Sequence, residues 1–198
     1  MSFAPRSERD LVKLVDEYPL AWVVSFSNDS GFNATPLPLL AETDAAGDIA
    51  VLVGHFALSN PQVEALRAMP RARVLFMGPQ GYITPEWISQ PKWAPTWNYA
   101  TAQFDVDIEF RPEDNGDALQ RLVRKMEAGR RAPWTVEQMG ERYESMIGRI
   151  VAFRAHVRAR SGRFKLGQDE SRKSFSEIVG HMEDEALRRW MKEFSPPP

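Results

Sequence analysis

The stretch GPQGYITPEW (Gly78–Trp87), followed after four residues by KWAPTWNYATAQFDVDIEF (Lys92–Phe110), decides the fold. A loop rich in glycine, proline and aromatic residues leads into a run that alternates strictly between apolar and polar residues. Alternation with a period of two predicts a strand with one buried face. So many aromatic residues in one loop predict either a wall against a flat ligand or a sealed interface. Trp97 and Tyr99, at the entry to the strand, favour the flat ligand.

Outward from this stretch, five further runs have the composition of strands, and the strands precede most of the helices. Connections in hairpin order predict an antiparallel sheet, and about six strands with one apolar face each predict a small closed or partly closed barrel. The fold class is therefore mainly β with flanking helices. The predicted strands are Leu20–Phe26, Phe32–Ala41, Ile49–His55, Ala72–Gly78, Thr101–Arg111 and Ile150–Arg160.

Composition restricts the classes of function. The chain has 198 residues, 43% hydrophobic and 26% charged, with a net charge of −2. These values fit one globular domain and give no electrostatic argument for nucleic acid or an anionic membrane. With no cysteine, thiolate catalysis and disulfides are excluded, and the three histidines at 55, 156 and 181 are too dispersed to predict a metal site. A polar N-terminus and the absence of a long apolar run predict a cytoplasmic protein without a membrane span.

Two alternating strands carry opposite charges on their polar faces. Asp105, Asp107 and Glu109 form an acidic stripe, whereas the strand Ile150–Arg160 carries a basic one. The basic stripe alone would suit nucleic acid, but two neighbouring strands of opposite sign predict cross-strand ion pairs. We therefore expect these strands to be antiparallel neighbours with both stripes on one side of the sheet.

Six blocks fall in the order seen in PaiB-type negative transcriptional regulators, which are relatives of the pyridoxamine-phosphate-oxidase-like FMN-binding split barrels. The resemblance covers about residues 3–180. It implies a homodimeric, six-stranded split β-barrel with FMN in a cleft between subunits, formed by residues 1–170 and followed by a helical extension, 171–198. The blocks are ATPLPLL (Ala34–Leu40), GHFALSNPQ (Gly54–Gln62), GPQGYITPEW, APTWNYA (Ala94–Ala100), APW (Ala132–Trp134) and GRFKLGQ (Gly162–Gln168).

The resemblance also implies where FMN would bind. The phosphate is expected near the helix start at Asn60, with Lys165 supplying charge, and the flavin ring between Thr35–Leu37 and Thr96–Asn98. No catalytic residue is predicted. The expected cofactor-binding residues are Thr35, Pro36, Leu37, His55, Phe56, Ala57, Asn60, Gln62, Thr96, Trp97, Asn98, Lys165 and Gln168.

Each of these assignments has a structural alternative. Asn60 has the composition of an ordinary N-cap, with Pro61 at the first helical position. His55 lies where a strand-end histidine can be satisfied by backbone groups. The segment Thr96–Asn98 also suits a subunit interface, where Trp and Tyr are enriched. A dimer whose interface includes the loop from Tyr82 to Tyr99 agrees with both interpretations.

Several positions depart from the family pattern. Family members tend to have His at Pro36, Arg at Leu58 and Tyr at Ile88, and they usually read K-L-S-Q-N-R where this chain reads K-L-G-Q-D-E from Lys165 to Glu170. Two hypotheses follow. The first is an FMN-binding homodimer that serves as a flavin-linked regulator or a flavin-dependent oxidoreductase of unknown substrate. The second is a cofactor-free transcriptional regulator or interaction protein on the same fold. A nucleic-acid partner is implied by the resemblance alone.

Overall fold

A computed structural model describes residues 3–28 and 31–194 of the chain. The helices are α1 (Glu8–Glu17), α2 (Gln62–Ala68), α3 (Asn115–Glu127), α4 (Arg142–Ile147), α5 (Arg172–His181) and α6 (Glu185–Phe194). The strands are β1 (Leu20–Ser27), β2 (Gly31–Pro38), β3 (Leu40–Thr43), β4 (Ile49–Ala57), β5 (Arg71–Ile83), β6 (Thr96–Phe110) and β7 (Ile150–Lys165).

All seven strands belong to one antiparallel sheet, in the order β2-β1-β5-β6-β7-β4-β3. The prediction of an antiparallel, mainly β fold with flanking helices is confirmed, but the number six is wrong. The predicted strand Phe32–Ala41 breaks at Leu39, so its first part pairs with β1 and its second part with β4. Pro36 and Pro38 lack the N–H that a second ladder would use, which explains why the strand changes partner here.

The sheet is not closed, because no ladder joins its two edge strands, β2 and β3. These edges are nevertheless consecutive in the chain, with Leu39 alone between them, and Leu39 is fully buried. The sheet therefore encloses one main core, to which β1, β4, β5, β6 and β7 all contribute buried side chains. Among the largest are Phe56, Phe76, Phe104, Phe153 and Phe164.

The C-terminal helices pack into the same core. Trp190, Met191 and Phe194 of α6 are buried with the residues of the sheet, and Trp190 donates a hydrogen bond from Nε1 to a Glu17 carboxylate oxygen at 2.8 Å. Two helices, α5 and α6, lie in the segment that is predicted to be a helical extension. The last four residues of the predicted extension, 195–198, lie outside the described residues.

The charge stripes on β6 and β7 lie side by side, as predicted, except that Arg160 lies beyond a bulge, opposite the buried Phe104. Asp107 is opposite His156 and Glu109 is opposite Arg154 in the ladder between these strands. Arg158 contacts Asp107 at 3.0 Å, and His156 Nε2 lies 2.8 Å from Glu109 Oε2. Such exposed pairs contribute little to stability, so their main effect is on the register of the strands.

Three predicted boundaries change in ways that affect the site. Strand β6 begins at Thr96 instead of Thr101, so Trp97 and Asn98 lie in the sheet, and β7 continues to Lys165. Helix α2 begins at Gln62, with Pro61 as its N-cap instead of Asn60.

Candidate functional site

Four polar side chains meet where α2 packs against β1 and β2. Gln62, only 1% exposed, donates from Nε2 to the Val23 carbonyl at 3.0 Å and to Ser25 Oγ at 2.9 Å. Thr35 Oγ1 donates to Gln62 Oε1 at 2.6 Å and accepts from Asn60 Nδ2 at 3.0 Å. Three predicted cofactor-binding residues, Thr35, Asn60 and Gln62, here called the Thr35 group, are thus brought together, but their side chains bind one another.

The oxygen atoms of Asn60, at the beginning of α2, also accept hydrogen bonds from within the chain. Asn60 Oδ1 accepts the Gln62 amide at 2.9 Å, and the Asn60 carbonyl accepts the Val63 amide at 3.0 Å. The helix has only seven residues, so its dipole is small. Asn60 therefore stabilises the start of α2 from the position before the N-cap, which is a structural role close to the alternative that the sequence offered.

The second group of predicted residues lies where β6 begins and β7 ends. It consists of Thr96, Trp97 and Lys165 and is here called the Thr96–Lys165 group. Lys165 donates from Nζ to Thr96 Oγ1 and, within the described ranges, forms no ion pair with a carboxylate. Trp97 is 49% exposed, donates from Nε1 to Gln80 Oε1 at 2.6 Å, and packs against Tyr82 with 5.8 Å between ring centroids. A lysine without a carboxylate partner beside an exposed indole is an arrangement that suits an anionic aromatic ligand.

Two predicted residues near this group face inward or stabilise a turn. Asn98 is 1% exposed and donates from Nδ2 to Met191 Sδ at 3.6 Å, beneath α6. Gln168 donates to the Phe164 carbonyl and accepts the Leu166 amide, both at 2.7 Å, and so closes the turn after β7. Both side chains are used by the fold.

One subunit does not bring the two groups together. Thr35 is aligned through Val23 and Val74 with Phe104, whereas Thr96 lies eight residues earlier on β6. At about 3.3 Å per residue, the separation along the strand is about 26 Å. A single ligand of the size of FMN cannot contact both groups of one chain.

His55 is the predicted residue with the least satisfied side chain. Its Nδ1 is buried without a hydrogen-bond partner among the described residues, and burial lowers the pKa of the ring, which is therefore neutral at neutral pH. The neighbouring Phe56 is fully buried in the core, so His55 and the exposed Ala57 lie on the opposite face of β4. On β2, Leu37 packs against the core and Pro36 faces outward, opposite Trp22.

The outer face of β2, β1 and β5 is apolar, a feature that the sequence analysis missed. Trp22 lies opposite Leu75, and Phe26 packs on Phe32 with ring centroids 5.2 Å apart. The signal was present in LAWVVSF, where apolar residues occupy both faces of the strand. We call this surface the outer apolar face; its exposed members are Leu20, Trp22, Phe26, Phe32, Leu75 and Met77.

A groove of about 590 Å³ runs along the outer apolar face. Trp22, Leu75 and Met77 form its apolar side. Its polar side carries Arg163, which donates to the Tyr99 hydroxyl at 2.9 Å and has no carboxylate partner within the described ranges. The remaining polar side chains are Thr101, Gln103 and Ser161. Across residues 3–28 and 31–194, no group of acidic or histidine residues could hold a metal ion, and no helix is long and apolar enough to cross a membrane.

Sequence comparison identifies the family. Residues 1–159 match the family described as "Putative FMN-binding domain". The chain belongs to this FMN-binding domain family. It is also 28% identical over 154 residues to the protease synthase and sporulation protein PAI 2 of Bacillus subtilis, with 77% of this chain and 73% of that protein covered. The PaiB-type resemblance read from the sequence is thereby confirmed.

Solved structures support the same fold. The FAD- and haem-binding protein of Mycobacterium smegmatis aligns with a TM-score of 0.62 at 17% identity, covering 91% of this chain and 81% of that one. The flavocytochrome Anf3 of Azotobacter vinelandii aligns with a TM-score of 0.61 at 13% identity, covering 82% and 69%. At these identities the likeness concerns the fold alone.

The residues of this FMN-binding domain fit a flavin nucleotide. Flavin requires a flat apolar wall, a few aimed polar groups and a cation for its phosphate. Trp22 and Trp97 present exposed indoles, His55 has a nitrogen without a partner, and Lys165 is a cation without a carboxylate.

Proposed function

We propose that the protein is an FMN-binding homodimer, with each flavin bound between the subunits by residues from both. The observation that carries the proposal is the separation of about 26 Å between the Thr35 group and the Thr96–Lys165 group within one chain. A flavin that contacts both groups would therefore take one group from each of two subunits.

When bound, FMN would supply the electron-transfer chemistry, and the protein would supply the binding surface. Trp97 would offer a flat wall, and Lys165 would neutralise part of the phosphate charge. The neutral ring of His55 would offer a hydrogen bond without adding charge. The bound flavin would serve either a flavin-linked regulator or a flavin-dependent oxidoreductase.

The dimer is testable by its mass. The outer apolar face exposes Trp22 and Phe32 by 50% and 81%, and apolar patches of this kind mark interaction sites. We expect light scattering at micromolar concentration to give twice the subunit mass of 22.5 kDa. Trp22→Glu should give monomers, because it places a charge in the interface. Trp134→Glu is the matched control, since Trp134 is exposed elsewhere on the molecule. A wild-type protein that stays monomeric would contradict the proposal.

Flavin binding is testable by titration. We expect purified apoprotein to quench FMN fluorescence and to bind FMN more tightly than riboflavin, which lacks the phosphate. Lys165→Ala should weaken FMN binding by about 10- to 100-fold, the range for a charge-assisted hydrogen bond. The same change should leave riboflavin binding nearly unaltered, and Lys192→Ala, at an exposed position of α6, is the control. Equal FMN affinity in wild type and Lys165→Ala would remove Lys165 from the site.

A cofactor-free regulator or interaction protein is the second candidate. It is favoured by Pro36 and by Glu170, whose carboxylate accepts a hydrogen bond from Trp93 instead of offering a cation. Binding of neither flavin by the wild-type dimer would support it. The basic stripe gives little support to the hypothesis of a nucleic-acid partner, because Arg154, Arg158 and Arg160 each pair with a carboxylate. A cytoplasmic location stays a prediction.

A further inference from the structure

The loop of residues 84–95, here called the aromatic loop, is held by the segment from Glu170 to His181, here called the strap. The strap consists of Glu170, Ser171 and α5, beyond the residues that match the family. The aromatic loop joins β5 to β6 and ends directly before Thr96 and Trp97. Whatever holds the loop therefore also holds the beginning of the strand that carries the exposed indole.

Two carboxylates of the strap accept hydrogen bonds from the aromatic loop at separate points. Glu177 accepts the Ser89 amide at 3.0 Å through one oxygen and the Ser89 hydroxyl at 2.6 Å through the other. Glu170 accepts the indole N–H of Trp93 at 2.9 Å. The hydrogen bonds from Ser89 lower the pKa of Glu177, so this carboxylate is ionised at neutral pH and its hydrogen bonds are charge-assisted.

A ring contact holds the beginning of the loop. The imidazole of His181 stacks on the indole of Trp87, with centroids 6.0 Å apart and an angle of 10° between planes. The strap thus contacts the loop near its beginning, its middle and its end. The middle of the loop is exposed, whereas Trp87, Ile88 and Trp93 pack against the core.

The loop tip has a strained backbone. Lys92 has a φ of 62°, and no other non-glycine residue in the described part of the chain has a positive φ. A side chain disfavours this left-handed conformation, which persists only where the surroundings impose it. The strain lies next to Trp93, the residue that Glu170 holds, so loss of that hydrogen bond would also release the strained peptide.

We propose that the strap is a latch, and that the aromatic loop has a held state and a released state. Glu170 and Glu177 are positioning residues: they act on Thr96 and Trp97 through the loop. The latch itself follows from contacts within one chain. Its consequence for flavin affinity rests on the proposed function.

Trypsin provides a direct test, because Lys92–Trp93 is a cleavable bond in the loop. Cleavage after Lys92, followed by mass spectrometry, is expected to be at least 10-fold faster in Glu170→Ala/Glu177→Ala than in wild type. Cleavage after Arg73, in the central strand β5, reports global unfolding, so the ratio of the two rates isolates the loop. Glu170→Gln/Glu177→Gln should restore most of the protection, since each amide keeps one oxygen to accept the Trp93 indole N–H or the Ser89 amide, and the amide NH₂ at position 177 can donate to the Ser89 hydroxyl.

Glu183→Ala, in the turn after α5, is the matched control and should cleave like wild type. An unchanged ratio of Lys92 to Arg73 cleavage in the double alanine variant would overturn the latch. FMN titration then tests its consequence: the double alanine variant should bind FMN at least 5-fold more weakly, with the glutamine variant close to wild type. If wild type binds no FMN, the proposed function fails, while the cleavage ratio still decides the latch.

Discussion

Replacing Trp190 by alanine is expected to lower the free energy of unfolding by about 3–5 kcal/mol, the range for removing a buried aromatic side chain. Trp190 is fully buried and packs against Tyr18, Phe164 and Phe194. Its loss would leave a cavity between α6, α1 and the sheet, and would leave a Glu17 oxygen without its indole donor. The expected decrease is a large fraction of the free energy of unfolding of a whole domain, which is typically about 5–15 kcal/mol.

Denaturant unfolding followed by far-UV circular dichroism, whose signal comes mainly from the backbone, would measure this effect. Trp134→Ala is a matched control, since Trp134 is 37% exposed and should cost under about 1 kcal/mol. If Trp190→Ala changes stability no more than the control does, α6 is not part of the main core. A single transition in wild type would show that the C-terminal helices unfold together with the sheet.

Replacing Gln62 by alanine is expected to cost about 1–3 kcal/mol in stability, the penalty for leaving a buried polar partner unsatisfied. The change removes the donor to the Val23 carbonyl and Ser25, and the acceptor of the Thr35 hydroxyl. Its direct effect on FMN affinity should be small, because every polar atom of Gln62 is already bound within the chain. A site role for Gln62 requires the reverse: weak binding at nearly normal stability.

Gln138→Ala is the control for this change, since Gln138 is exposed and belongs to the turn Val136–Met139 instead of the sheet. Thermal unfolding without ligand gives the stability term, and FMN titration well below the melting temperature gives the binding term. If Gln62→Ala melts like wild type, the internal role assigned to this amide is wrong.

The strands could be predicted because alternation is a local property. The run from Thr101 to Arg111 and the opposite charges of two strands were sufficient to predict neighbours that the ladder between β6 and β7 confirms. The seventh strand could not be predicted, since a break at Leu39 is recognisable only from the two different partners on its two sides. Propensity reports where a strand exists and says little about which strand it pairs with.

The candidate site was harder to predict for the same reason. Asn98, Gln62 and Gln168 are the polar residues that a ligand would need, and the same residues are what a fold needs at two contacts between a helix and the sheet and at a turn. Sequence alone does not distinguish these uses, because both depend on what lies within about 3 Å in space. Lys165 and His55 remain the better candidates, since neither has its charge or its buried nitrogen matched by a described neighbour.

The two edges of the sheet limit how copies of this chain can associate. An exposed strand edge invites pairing with another sheet, and natural proteins avoid this with short edge strands and with proline. Here one edge, β3, has four residues, and the other, β2, carries Pro36 and Pro38. Addition of a foreign strand is therefore poorly supported at either edge. The chain is protected against open-ended, fibre-like growth, and only its faces remain for a finite assembly.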